Sequence, residues 1–296
     1  MRRLYRLPWA PSVSLLAIAS ASACGGSPPI SRIEDKARLD VPIAICRKPL
    51  DPSDTDDAGV ARSDAYWKVV LPGFRGIGFP IRPSDIDCVG DRPDQGLSGP
   101  AGPAWSVAED DLVLSAPDDG MQAAWLRAFR QSDGMGFGPL ALVRGRASEM
   151  DVYAIGRFRG SVHHARFELG QLGTSKVVVG HDGRCADVKV DVECDSVLTF
   201  YIAAGGKLAA AADSPEQRLQ YANAKGQGRF QYRLTTDAPV FDGPTVRVHE
   251  KLLVRDANQE EVRKAEGDRV FTLVAGGRLA PQQDSLWAQI PSLSAK

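Results

Sequence analysis

In the stretch GSVHHARFEL, residues 160–169, two adjacent histidines offer imidazole nitrogens for metal binding or proton transfer. The surrounding alternation predicts a strand, on which His163 shares a face with Ala165, Phe167 and Leu169 while His164 sits with Arg166 and Glu168. Adjacent strand residues point to opposite faces, so both rings cannot hold one ion from a regular strand. A packed His163 and a solvated His164 are therefore expected. The metal alternative combines one of them with His181 and Asp182.

Other stretches can be tested for chemistry in the same way. In DPSDTDDAG, residues 51–59, Asp54, Asp56 and Gly59 match calcium-loop positions one, three and six, but Ala58 and Ala65 stand at positions five and twelve. Without the bidentate glutamate the EF-hand pattern fails, and a solvated acidic loop is expected. The glycine clusters GFRGIGFP (73–80) and GMGFGP (134–139) do not lead into a helix whose N-terminus would hold a phosphate, so turns or bulges are expected there. Nucleophile-elbow, zincin and C-x-x-C motifs are not found. No catalytic, cofactor-binding or metal-ligating set is assigned. Two looser candidates remain. Asp118, Asp119 or Glu168 could serve a hydrolase or sugar-active enzyme if a cleft brought carboxylates about 5 to 10 Å apart. Trp67, Trp105, Trp125 and Trp287 could line a ligand groove, although tryptophans usually bury in cores.

The cysteines point to an address. The opening MRRLYR is a positive n-region, VSLLAIASA (13–21) an apolar stretch too short to span a bilayer, and small residues lead to Cys24. Ala21-Ser22-Ala23 is an A-x-A site for the ordinary signal peptidase, which would give a soluble periplasmic product with an odd thiol, and with Cys24 it also resembles the lipobox of bacterial lipoproteins, with Ala21 where leucine is commoner. That resemblance, confined to about the first 25 residues, implies cleavage before Cys24, diacylglycerol on its sulfur and a further acyl chain on the new amino group. Two or three chains anchor where one is marginal, at about 0.8 kcal/mol per buried methylene. In lipoproteins of two-membrane bacteria aspartate after the cysteine tends to mean retention at the inner membrane, so with Gly25 there the resemblance implies the outer one. Acylation of Cys24 leaves Cys46, Cys88, Cys185 and Cys194, an even set for disulfides in an oxidising compartment.

Removing Arg2, Arg3 and Arg6 with the signal leaves 33 basic against 37 acidic side chains and no polybasic run, so there is no electrostatic basis for binding nucleic acid. No later segment reaches 18 consecutive apolar residues, and no transmembrane helix is expected in the mature chain.

These groups need elements to position them. The expected organisation is a signal peptide over 1–23, a lipidated tether over 24–41, an irregular loop-rich region over 42–116 and an antiparallel β domain over 117–296. The fold class expected is mainly β, a meander folded as a sandwich or open barrel. Period-2 alternation carries this reading: ADVKVDVEC (186–194), GRFQYRL (228–234), and TVRVHEKLLV (245–254), where Glu250 interrupts the apolar face. MDVYAIGRF, GPLALVRG, SKVVVG, SVLTFYIA and RVFTLVAG add further strands, and AYWKVVL and DLVLSA two short ones earlier. DGMQAAWLRAFRQSDG is read as strand over helix. SPEQRLQ (214–220) has a capping serine, a first-turn proline and Gln217, and predicts a short helix, while PQQDSLWAQIP predicts a terminal helix or tail.

If 186–193 is extended, Cys185 and Cys194 lie about 30 Å apart at about 3.3 Å per residue, and cross-pairing with Cys46 and Cys88 is favoured. A break in the strand would instead leave local pairs, Cys46 with Cys88 and Cys185 with Cys194. The functional expectation is a membrane-anchored, non-catalytic binding or envelope-structural protein. Its partner would be an envelope protein or a glycan, and no cofactor is expected. The alternatives are the anchored hydrolase above and a carrier with an apolar cavity inside a closed barrel.

Overall fold

A computed structural model of the chain describes residues 44–57, 60–70, 74–76, 80–81, 105–146, 148–186, 192–224 and 228–290. The expected signal, tether, Cys24 and Cys88 lie outside these. The first described elements are strand β1 (Cys46–Pro49), a 3-10 turn (Pro52–Asp54) and helix α1 (Ser63–Val70), followed by the small strand pair β2 (Pro80–Ile81) and β3 (Trp105–Ser106). From there the chain is mostly strand. β4 (Leu112–Leu114), β5 (Gln122–Leu126), β6 (Phe129–Arg130), β7 (Met135–Arg146) and β8 (Glu149–Ser161) come first. β9 (Arg166–Leu172), β10 (Ser175–His181), β11 (Cys194–Ala204) and β12 (Lys207–Ala224) follow. β13 (Gly228–Thr236), β14 (Val240–Asp242), β15 (Thr245–Arg255), β16 (Glu261–Val274) and β17 (Arg278–Pro281) complete the series before a terminal 3-10 turn (Leu286–Gln289).

Fifteen strands join one sheet, with the path β17-β16-β15-β13-β12-β8-β7-β5-β4 and β11-β10-β9 branching from β12. The fold is mainly β, as the alternation predicts, and the sheet is not closed into a barrel, which removes the closed-barrel carrier as an architecture. Pairing is antiparallel throughout except at Lys207 and Ile155, where β12 meets β8 in parallel. β12 is long enough to pair first with β11 and then with β13, so it connects both parts of the sheet.

Burial explains why some strands do not alternate. Val178 and Tyr201 pack with Trp125, Leu140 and Phe158 of β5, β7 and β8, whereas Val177, Val179, Leu198 and Phe200 pack with Val246, Val248 and Phe271 of β15 and β16. The β9–β11 ladder is thus covered on both faces, and its central strand reads VVV because neither face meets water. β5, β7 and β8 are also covered twice, since Ala124, Leu126, Ala141, Val143 and Val152 pack against Trp67 and Val70 of α1. Trp125 stands edge-on to Phe158 and Phe167 at 5.2 and 6.0 Å between ring centroids. Tyr153 is the extra residue of a β-bulge opposite Leu142 and Val143, and beyond it the inward parity of β8 changes. β1 is held to β8 by Arg47, whose Nε donates to buried Asp151 at 2.6 Å and holds that carboxyl below the usual carboxylate range.

Several local expectations are corrected. AYWKVV, residues 65–70, is helix, not strand. Its residues Ala65, Tyr66, Trp67, Val69 and Val70 are buried, too many for one face of a short strand, and Lys68 pairs with Asp54. SPEQRLQ lies inside β12 rather than forming a helix, because pairing with β11 and β13 overrides a local cap and Pro215 falls at a bulge where no ladder donor is needed. The histidine doublet occupies a turn before β9, with His163 exposed and His164 half-buried, so the strand-based assignment of faces fails. Cys185 and Cys194 are bonded to each other with alpha carbons 5.5 Å apart; the strand expected over 186–194 lies mostly outside the described residues. Cys185 lies within a turn after β10 and Cys194 opens β11. Cross-pairing is therefore excluded; Cys46 is disulfide-bonded to neither of them.

Candidate functional site

Where β10 ends and β11 begins, a cluster of polar side chains meets at one corner. The His181 imidazole is buried at the end of β10; its Nδ1 lies 2.8 Å from Glu216 Oε1 and its Nε2 3.3 Å from Glu168 Oε1. The Ser196 hydroxyl on β11 lies 2.6 Å from Asp182 Oδ1 and 3.0 Å from Glu216 Oε2. Arg166 donates to Glu216 Oε1 at 3.0 Å from the solvent side. Glu216 reaches this position because Ser196 pairs with Gln217 and Val197 with Pro215, leaving Glu216 as the unpaired residue of a bulge. Bulges re-aim side chains in this manner. The histidine turn also abuts the corner: Gly183 has φ 64°, and a Cβ there would lie 2.4 Å from the His164 carbonyl carbon.

Burial pushes the Glu216 carboxyl up, but hydrogen bonds from His181 and Ser196 and the charges of His181 and Arg166 outweigh it, and the net direction is down. A depressed carboxylate binds fewer protons folded than unfolded, so its stabilisation is present above its unfolded value of about 4.3 and is lost as pH falls through the folded value. Chemical denaturation between about pH 6 and 3 is expected to show this acid loss in the native chain and a shallower slope in Glu216→Gln. Equal slopes would refute the assignment.

The chemistry of the cluster is limited. No hydrogen bond joins the Ser196 hydroxyl to the imidazole, and both imidazole nitrogens face carboxylates, so a nucleophile activated by histidine is not assembled. No grouping of three metal-ligating side chains occurs among the described residues. Of the site candidates named from the sequence, His181, Asp182 and Glu168 converge here. Asp118 and Asp119 lie instead on the exposed β4–β5 turn, paired with Lys176 and Arg144. The acidic 51–57 stretch also departs from a fully solvated loop, since Asp54 is buried and Asp56 accepts from the Val60 amide.

Beside this corner a groove of about 340 Å³ opens, lined by Glu193, Cys194, Asp195, Arg218, Leu219 and Gln220 of the β11–β12 edge and by Trp287. Of the four tryptophans considered for a groove, Trp67 and Trp125 are fully buried, while Trp287 is half-exposed in the groove. Its position is fixed from below. Ser285 caps the terminal turn by accepting from the Trp287 amide, its hydroxyl donates to buried Glu250 Oε2 at 2.9 Å, and the Leu286 amide donates to the same oxygen at 2.7 Å. Glu250, the charge that breaks the apolar face of TVRVHEKLLV, is thus the latch for the terminal segment. On the opposite wall Asp195 accepts from Arg218 Nε at 2.7 Å, Arg218 lies over the indole at 5.8 Å, and Glu193 Oε1 accepts from the Tyr221 amide at 3.0 Å.

The disulfide closes the near end of the groove. Replacing both Cys185 and Cys194 by serine removes a loop closure across nine residues and is expected to cost about 2–3 kcal/mol. Denaturant unfolding measures this; no loss of stability would show that the bond does not constrain the corner.

Comparison with protein-family models, with curated proteins and with solved structures gives no match to the chain.

Proposed function

We propose that this is an exported protein held to the outer membrane by lipid on Cys24, and that it works by binding an envelope component in the groove beside Trp287. The signal-like leader and lipobox-like run support the address. The Cys185–Cys194 bond is in keeping with an oxidising compartment. The observation that carries the binding role is Trp287 itself: a large aromatic side chain only partly covered, in a groove whose walls are pinned by hydrogen bonds. Pre-organised walls lose little freedom on binding, which is how a small site gains affinity. An anchored hydrolase using Glu168 or its neighbours is the poorer reading, because the carboxylates at the corner are occupied by His181, Ser196 and Arg166.

Two measurements test the proposal. Intact mass of the protein purified from bacterial membranes is expected to show a chain beginning at an acylated Cys24 and carrying two disulfides, and Cys24→Ala is expected to release it from the membrane fraction. An unmodified N-terminus, or cytoplasmic protein with reduced thiols, overturns the address. Turnover of a hydrolytic substrate that is abolished by Glu168→Gln overturns the non-catalytic role.

A further inference from the structure

We infer that the groove beside Trp287 takes the uncharged sugar rings of a polysaccharide. The inference rests on the binding role proposed for this groove and names its ligand class. A pyranose ring has two apolar C–H faces and a rim of hydroxyls, each both donor and acceptor. The groove presents the matching pair of surfaces. Trp287 supplies apolar area, and Arg218, Gln220, Glu193 and Asp195 stand in the same lining. Donors and acceptors are therefore mixed within one small lining, as hydroxyl recognition requires.

Charge and shape argue against two other small-ligand classes, anions and fatty chains. An anionic ligand would face Glu193 and Asp195, while the cation in the lining, Arg218, is already engaged by Asp195 at 2.7 Å. A fatty chain requires an apolar cavity, and five of the seven lining residues here are charged, polar or the disulfide-bonded Cys194. A volume of about 340 Å³ stands at the small end of the range of about 300–1,000 Å³ for ligand pockets, suited to one or two rings of a longer chain entering from the side. The indole is also held still, since the turn that carries it is fastened through Ser285 and Leu286 to buried Glu250.

The test uses the exported full-length chain as isolated, in detergent if acylated or in buffer if not, so that failure of lipidation does not obscure the readout. Saturation-transfer NMR and isothermal titration are run with tetramers of β-1,4-linked N-acetylglucosamine, of β-1,4-glucose and of α-1,4-glucose, and with tetragalacturonate as the acidic counterpart. At least one neutral tetramer is expected to bind, with at least tenfold tighter affinity than tetragalacturonate. Trp287→Ala is expected to weaken that binding at least tenfold, Trp287→Phe to keep most of it, and Gln220→Ala to weaken it severalfold, with near-UV circular dichroism showing intact folds. Preference for the acidic tetramer, absence of binding by all three neutral ones, or unchanged affinity in Trp287→Ala overturns the inference.

Discussion

Asp111→Ala is expected to destabilise the protein by about 3–5 kcal/mol, the range for removing one partner of a buried ion pair. Asp111 is fully buried and its Oδ1 accepts from Arg127 Nε at 2.8 Å and from the Arg130 terminal nitrogen at 2.7 Å, while its Oδ2 accepts from the Ala108 amide at 2.8 Å. Arg127 is itself 1% exposed, and its remaining nitrogens go to the carbonyls of Val162 and Asp110. Alanine at 111 leaves that guanidinium in the interior without its main counter-charge, and also strands an amide. The loss arises from the orphaned cation, so the double variant Asp111→Ala with Arg127→Met should be less unstable than the sum of the two single changes. Urea unfolding of the three variants measures this. A single-variant loss below about 1 kcal/mol, the range of an exposed pair, would show that the site is wetter than its burial indicates.

Gly138→Ala is expected to cost about 3 kcal/mol or to prevent folding, at or above the upper range for overpacking. A Cβ at Gly138 would stand 1.8 Å from the Leu126 carbonyl oxygen and 2.8 Å from the Ala128 nitrogen, both backbone atoms. Backbone cannot rotate aside, so β7 and the β5–β6 segment would have to separate. Gly134 provides a control on the same glycine-rich stretch. It has no heavy atom within 4 Å of its Cβ position but φ 78°, and Gly134→Ala should cost only about 1 kcal/mol of backbone strain. Similar losses at both positions would refute the close-approach explanation. Two glycines of GMGFGP, Gly136 and Gly138, therefore admit a neighbouring segment, and Gly134 takes a positive φ.

The strands most legible in the sequence are those whose two faces differ. In TVRVHEKLLV every second residue from Val246 to Val254 is buried, and the reading of alternation holds. SKVVVGH is recognisable by its β-branched run, although its double-sided burial requires knowledge of which layers cover it. Local pattern misleads where tertiary pairing outweighs local chemistry. SPEQRLQ carries good helix-start residues, yet strands on both sides claim its backbone; most of ADVKVDVEC lies outside the described residues, and the cross-pairing drawn from its alternation fails because Cys185 and Cys194 are bonded to each other. AYWKVVL has strand-forming residues, but five buried side chains in the eight positions of Ser63–Val70 fit a short helix set against the sheet.

The corner is partly legible. His181 and Asp182 stand out because histidine is rare in the chain, whereas Trp287 is one of four tryptophans among which the sequence does not choose. Glu216 and Ser196 do not, since a bulge is invisible to a period-2 pattern and only the ladder register brings them together. The subtlest signal is Glu250: an acid on an apolar stripe marks either a misread strand or a buried partner, and here the partner is the Ser285 cap nearly at the end of the described chain.

The sandwiched position of β9–β11 has a consequence for cooperativity. A layer that gives one face to each neighbour cannot be deserted by either without exposing an apolar surface, so no half of the sheet should persist as a native-like remnant. Amides of Val177–Val179 should therefore exchange with solvent only through global opening, at the same rate limit as those of Leu140 and Val248 on the outer leaves, and proteolytic nicking of either leaf should release the whole molecule to digestion.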